Sequence, residues 1–311
     1  MSKPDPIKSG QGTAGTYFLN GQDVEVRPLA AGLYVVATPI GNLGDISLRA
    51  LETLAGAEII ACEDTRVTGK LLERYGIHAS LAPYHEHNAA TARPKILERL
   101  AAGGSIALVS DAGTPLISDP GFKLVQAAQE AGHPVTAVPG ASSVLTALAV
   151  SGLPTDRFFF EGFLPAKQGA RRERAGALAQ IPATLVVFET GPRIAASLGD
   201  LAEALGPRVA AICRELTKLH EEVRRRSVVE LATHYATGGE IRGEFVIVIA
   251  PPDEGEHAAS AEDIDAMLRR TLAESSLKDA VATVAEATGQ PRKDIYRRAL
   301  QLVKDNGEAD A

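Results

Sequence analysis

An alternation of two hydropathy rhythms constrains this chain more than any other feature. From residue 33, short β-branched runs are followed in turn by amphipathic stretches of helical period. LYVVATPI (33–40) precedes SLRALETLAG (47–56), with Ser47 placed to cap a helix and Gly56 to close it. EIIACED (58–64) leads into TRVTGKLLERYG (65–76), and ARPKILERLAAGG (92–104) into SIALVSDAG (105–113). DPGFKLVQAAQEAG (119–132) reads as a helix with Asp119 as its N-cap and Pro120 at its first position. PVTAVPG (134–140) and SSVLTALAVSG (142–152) complete the series. Strands alternating with helices of about 10–14 residues predict βαβ units and a mostly parallel sheet.

The rhythm changes after the Gly/Pro connection GLPTDR (152–157). FFFEGF (158–163), ATLVVFET (183–190), RVAAICREL (208–216) and EFVIVIAPP (244–252) read as strands. A basic helix, QGARRERAGALAQ (168–180), and the helix PRIAASLGDLAEALG (192–206) lie among them, and EEVRRRSV (221–228) alternates as a solvent-facing antiparallel strand does. PPDEGEHAASAED (251–263) is an acidic Pro/Gly linker. Three short helices follow, at about 261–274, 276–289 and 292–303, the last two separated by a turn that suits a helix-turn-helix hairpin. The expected organisation is a flexible tail over 1–31, an N-terminal α/β domain over 32–153, a second α/β domain over 154–252, and a linker with a helical region over 253–311.

The 311 residues carry a net charge of −7, and 45% of them are hydrophobic, a composition of folded rather than disordered chains. No apolar stretch approaches the roughly 20 residues of a bilayer-spanning helix, and the start has no signal-peptide core. Two cysteines, Cys62 and Cys213, make neither a disulfide framework nor a four-cysteine zinc site, so a reducing cytoplasm is the simplest compartment. Neither a membrane nor DNA is expected as a partner. The dinucleotide fingerprint, the Walker loop, the nucleophile elbow and the H-E-x-x-H motif are all absent. His85 and His87 in PYHEHN (83–88) lack a third spaced ligand, and no metal is expected.

Ligands of an open parallel sheet sit beyond the carboxyl ends of its strands. Four loops there combine glycine or proline with hydroxyl and acidic residues: TPIGNLGD (38–45), CEDTR (62–66), SDAGTPLISDPG (110–121) and PGASS (139–143). Any one could be ordinary turn chemistry; four on one sheet edge point to a binding site. The runs LYVVATPIGNLGDIS, ACEDTR, LVSDAGTPLISDPG, VPGASSVLTAL, FEGFLP, ETGPR, CRELTKLHEE and RGEFVIVI resemble the ribosomal RNA small subunit methyltransferase I family, a branch of the tetrapyrrole methylase fold. The resemblance covers about 33–251 and, more weakly, continues to 303.

It implies two α/β domains with S-adenosylmethionine in the cleft between them, a homodimer, and 2′-O-methylation of a cytidine in the decoding region of small-subunit ribosomal RNA, within the assembled 30S subunit. It places the cofactor against Pro39, Gly41, Asp111, Ala112, Gly113, Thr114, Ile117, Ser142, Ser143, Phe188, Leu216, Thr217 and Gly243. A 2′-hydroxyl is barely acidic, so a proton acceptor is useful; Glu63 and Asp64 are the first candidates and His85 the next, with Arg66 and Lys218 to hold a phosphate or an alkoxide. The bland alternatives are a helix-terminal charge for Glu63 or Asp64, and ion pairs for Glu189 with Arg193 and for Arg214 with a neighbouring glutamate. His85, Lys218, Arg292, Lys293, Arg297 and Arg298 are the expected RNA contacts; residues 290–304 hold five basic residues against one acidic. Tyr296 could stack on a base or belong to the core. Two other functions compete: a small-molecule tetrapyrrole methyltransferase of the same fold, and an RNA-binding module without catalysis.

Overall fold

The first regular structure is a hairpin, β1 (Thr16–Leu19) and β2 (Gln22–Glu25), turned through Asn20 and Gly21 at φ 51° and 86°. It lies in the stretch expected as a tail. Tyr17 and Val26 are buried in the core of the first sheet, and this burial holds the hairpin in place. The computed structural model describes residues 15–239, 241–252, 261–273, 275–288 and 290–308.

The alternation then folds as β3 (Gly32–Val36), α1 (Leu48–Gly56), β4 (Ile59–Cys62), α2 (Thr65–Arg74), β5 (Ser80–Pro83), α3 (Ala89–Ala101), β6 (Ser105–Val109), α4 (Phe122–Glu130), β7 (Val135–Val138) and α5 (Ser143–Ser151). The five strands form one parallel sheet in the order β5-β4-β6-β3-β7. Every residue of β4 and β6 is buried, as expected of strands covered on both faces. One apolar cluster, with Leu51, Leu54, Ile60 and Val36, packs α1 on the sheet, and another, with Leu33, Ile106, Leu100 and Leu124, packs α3 and α4. Ser47 caps α1 by accepting from the Ala50 amide, and Ser142 caps α5.

The start of α4 differs from the expectation. Asp119 is not its N-cap and Pro120 is not its first residue; the helix begins at Phe122 behind Gly121, at φ 137°, without a side-chain cap. A Cβ on Gly121 would lie 2.9 Å from Leu108 Cδ2, so the loop presses onto β6 where only glycine fits. Asp119 is thereby left ahead of the helix, in the loop.

The second half comprises β8 (Phe158–Phe163), α6 (Gln168–Ala179), β9 (Thr184–Thr190), α7 (Gly191–Leu205), β10 (Val209–Arg214), β11 (Glu222–Ser227), α8 (Val228–Ala236) and β12 (Glu244–Ile249). Its mixed sheet runs β11-β10-β12-β9-β8, with only β8 and β9 parallel. The polar strand β11 is antiparallel to β10 at the sheet edge, as its alternation predicts. The basic residues of α6 are tied down: Arg171 donates to Asp200 at 2.7 Å with both side chains buried, Arg172 binds the other Asp200 oxygen, and Arg174 clasps Glu161. Both sheets belong to one compact unit, which runs to Ala175 and resumes over Thr184–Ala250.

Three helices form the bulk of the second unit: α9 (Ala261–Leu272), α10 (Leu277–Thr288) and α11 (Arg292–Glu308). They share a core of Ile264, Leu268, Val281, Val284, Ile295, Ala299 and Leu302. Ser276 accepts from the Asp279 amide and caps α10. No described helix is long and apolar enough to cross a membrane.

Candidate functional site

The loops that follow β3, β6 and β7 are laced together. Thr38 and Gly113 exchange two backbone hydrogen bonds, of 2.8 and 3.0 Å, and the Thr38 hydroxyl, itself buried, donates to the Ser110 carbonyl. The Thr114 hydroxyl donates to the Ala141 carbonyl. Gly113 has φ 79°, and a Cβ there would sit 3.2 Å from Ile40 Cγ2. From the other sheet, the loop after β10 closes on the loop after β3: the Asn42 amide donates to Thr217 Oγ1, and a Cβ on Gly41 would overlap Lys218 and Thr217.

Between these loops lies a cleft of about 210 Å³, open to solvent. Ala112, Gly113 and Thr114 form its floor, and Ser142 and Ser143 bring a helix N-terminus with hydroxyls. Ile40, Ile117, Phe163, Phe188, Leu216, Phe245 and Val246 make an apolar wall from both sheets. Phe188 packs edge-on against Phe160 and Phe163, with ring centroids 4.9 and 5.6 Å away. Four of the five non-glycine residues with positive φ among the described residues lie in its two main loops: Leu116, Ser118, Glu215 and Thr217. Such conformations cost about 1–3 kcal/mol each and gather where a ligand is gripped.

The titratable groups of the cleft differ sharply. Glu189 is fully buried; it accepts from the Ser197 hydroxyl and the Thr190 amide, and Arg193 Nε stands 3.3 Å away, the ion pair expected as the structural alternative. Lys218 bridges Glu215 and Glu244 at 3.1 and 2.7 Å; burial lowers its proton affinity, but the two carboxylates outweigh that and raise it. Glu215 is pushed up by burial, yet the Glu244 amide and Lys218 prevail and hold it low. Burial drives the Cys213 thiol up to about 12. Asp119 is raised to about 6, chiefly by burial, then by the carboxylates of Glu63 and Asp111, against a nearby Ser110 hydroxyl that favours its charged form.

Of the expected cofactor residues, Ala112, Gly113, Thr114, Ile117, Ser142, Ser143, Phe188 and Leu216 line the cleft, as does Lys218. Gly41 and Thr217 are not in the lining but lie where the loops after β3 and β10 touch. Gly243, at φ 108°, lies against Glu215. Asp111 is not in the lining; its carboxylate accepts from the Asp64 amide at 3.0 Å and so ties β6 to β4. Pro39 is outside the lining too.

The expected catalytic residues gather at the end of β4, outside the cleft lining. Asp64 caps α2 by accepting from the Arg66 amide at 2.8 Å and pairs with the Arg66 guanidinium, which holds it at about 2. It is the helix-terminal charge of the bland reading, and its proton affinity is too low for a useful base. Glu63 is raised by burial and by Asp111. His85, beyond β5, has its Nδ1 buried without a hydrogen-bond partner among the described residues. Among the described residues Arg214 makes no ion pair with Glu215 or Glu222, the bland alternative; its guanidinium donates to the Arg242 carbonyl and stacks over Phe245, and its charge helps hold Glu215 low.

On α11, Arg292, Lys293 and Arg297 are exposed, with Arg297 reaching Asp294 at 3.0 Å. Arg298 is committed elsewhere: it grips Asp265 of α9 with two bonds and staples the bundle. Tyr296 is 47% exposed, so it is not part of the core. Sequence reasoning placed Ser118 and Glu244 in cofactor segments but missed Asp119, Phe163 and Phe245 as cleft residues. Asp119 carried a misleading signal, since Asp-Pro commonly starts a helix; the others sit on strands or turns with no motif of their own.

Comparison with known proteins agrees with this geometry. Residues 32–232 match the family model of the tetrapyrrole (corrin/porphyrin) methylases, and residues 258–303 match the RsmI C-terminal HTH domain. The chain is 50% identical to the ribosomal RNA small subunit methyltransferase I of Mesorhizobium japonicum over 289 residues, covering 93% of this chain and 98% of that one. It is 51% identical to the same-named protein of Erythrobacter litoralis over 282 residues, 90% of this chain and 98% of that one. Among solved structures, the uroporphyrin-III-C-methyltransferase of Thermus thermophilus aligns with a TM-score of 0.52 at 22% identity, over 71% of this chain and 94% of that one, a likeness of fold. By sequence along nearly its whole length and by the two family models it matches, the chain belongs to the ribosomal RNA small subunit methyltransferase I family of tetrapyrrole-methylase enzymes.

Proposed function

We propose that this protein transfers the methyl group of S-adenosylmethionine to small-subunit ribosomal RNA, at the ribose 2′-hydroxyl of a cytidine in the decoding region. The observation that carries the reading is the cleft floored by Ala112–Thr114, with its strained loops and apolar wall. The residues present fit the methyl donor. Gly113, lacking a Cβ, lets backbone groups approach the ligand. Phe188, Leu216 and Val246 offer flat apolar surface for an adenine. The Ser142 and Ser143 hydroxyls suit a ribose or a carboxylate, and the acidic lining suits a sulfonium cation.

When bound, S-adenosylmethionine supplies an electrophilic methyl group on sulfur. The task of the chain is then alignment of the acceptor hydroxyl in line with the carbon–sulfur bond, which can account for much of a rate enhancement, together with exclusion of water. The C-terminal helices supply a basic surface for RNA through Arg292, Lys293 and Arg297. The reading extends to the assembled 30S subunit as substrate, to a cytoplasmic location, and to a homodimer that works on it.

Labelled S-adenosylmethionine, incubated with the protein and with small subunits, free ribosomal RNA or a tetrapyrrole, tests this reading. Label is expected in the RNA of the subunit. Label in the tetrapyrrole alone, or in nothing, refutes it.

A further inference from the structure

We propose that Asp119 takes up the proton that leaves the acceptor hydroxyl during methyl transfer. This rests on the reading of the cleft given above and adds to it a group the sequence did not single out for the role.

Elimination within the cleft leaves one group. The titratable side chains of its lining are Asp119, Glu189, Cys213, Lys218 and Glu244. Glu189 is sealed in the wall, with its oxygens taken by Ser197, Thr190 and Arg193. Glu244 and Lys218 neutralise one another. Cys213 stays protonated at ordinary pH because burial raises it to about 12. Asp119 is the remaining carboxylate, and the groups that face it are a hydroxyl, Ser110, and two carboxylates, Glu63 from the end of β4 and Asp111 from the end of β6. Those anions and the burial raise its proton affinity to about 6. A base poised near the working pH is the most effective kind.

Asp64 is the contrast. It belongs to the same acidic group, but Arg66 holds it at about 2, and it does not line the cleft. Glu63 and His85 also lie outside the lining, and Glu63 acts here by raising Asp119. The step balances: the methyl carbon–sulfur bond breaks with its electron pair left on sulfur, the carbon–oxygen bond forms, and the hydroxyl proton passes to the Asp119 carboxylate. Methyl donor, acceptor hydroxyl and Asp119 account for every atom and charge.

The experiment compares the full-length wild type with Asp119→Asn, an isosteric change. Three quantities are measured: S-adenosylmethionine affinity by calorimetry, the pH dependence of methyl transfer to small subunits, and carboxyl titration by NMR with labelled aspartate and no ligand present. The expected result is an aspartate signal titrating near pH 6 that the variant lacks, and a wild-type rate that rises with pH through the same value. Affinity stays within about threefold, and the variant is slower by about a hundredfold or more. A variant that methylates at the wild-type rate across the pH range overturns the proposal, whatever the titration shows. So does a variant that loses S-adenosylmethionine binding, which would make Asp119 a ligand-binding group. A wild type that methylates no RNA at all overturns the functional reading itself, and this inference with it, and is told apart because the fault then lies before the variant is compared.

Discussion

Leu116 and Ser118, at φ 74° and 65°, occupy a backbone region that a bulky side chain rarely enters. Both flank the floor of the cleft, and the lacing of Thr38, Gly113 and Thr114 to their neighbours offsets the strain. Gly113 is the sharpest case, because a side chain there meets Ile40 at 3.2 Å as well as an unfavourable φ of 79°. Gly113→Val is expected to weaken S-adenosylmethionine binding by about tenfold or more, given a strain of about 1–3 kcal/mol; calorimetric titration checks it. Asp119 makes a second prediction, about stability. Its folded proton affinity, about 6, lies above the ordinary 3.8, so between these values the folded chain holds a proton that the unfolded chain has released. This group therefore costs stability progressively as pH rises from about 4 to 6, and the cost is complete above that. Asp119→Asn should be more stable than the wild type at pH 7.5 and gain nothing at pH 4; denaturant melts at the two values decide.

Among the elements, α6 shows why a basic run need not be a binding surface. The sequence RRER (171–174) reads as exposed charge, yet Arg171 and Asp200 are both buried and bonded at 2.7 Å. Removing the acid would leave an uncompensated cation inside, so Asp200→Ala should cost about 3–5 kcal/mol. A urea midpoint little changed from the wild type would show that solvent reaches the pair. Burial also decides what could be read in advance. The long periodic helices and the apolar strands β3, β4, β6, β9, β10 and β12 were legible because burial imposes their pattern. The β1–β2 hairpin, β5 and α8 were not: four-residue strands with polar Gln22, Asp23 and Ser80 carry almost no periodicity. In α8, the Ser227–Glu230 capping box was a signal that could have been used. The loops that line the cleft were legible through glycine, proline and hydroxyl composition. The proton-affinity differences within the acidic group were not, because they depend on which carboxylates the sheet brings together from 47 residues apart in sequence, as it does Asp64 and Asp111.

For the whole molecule, an overall charge of −7 conceals a basic C-terminal helix. Arg292, Lys293 and Arg297 are exposed there, while Arg298 staples α11 to α9. Reversing the three exposed residues to glutamate should weaken binding to the small subunit and flatten the slope of log K against log salt by about 0.7–0.9 for each phosphate no longer neutralised. S-adenosylmethionine affinity should be unchanged, since none of these residues lines the cleft; equal salt slopes would make the helices purely structural. A two-fold dimer is expected as well, and light scattering at micromolar concentration should give twice the mass of the chain, with a monomer mass refuting it. Whether this cleft serves methylation of a ribose in ribosomal RNA is tested most directly by the chemistry of the product. Small subunits incubated with the protein and methyl-deuterated S-adenosylmethionine, digested to nucleosides and analysed by mass spectrometry, should yield 2′-O-methylcytidine carrying the deuterated methyl group. Deuterium on a nucleobase, or in no nucleoside at all, would contradict that role.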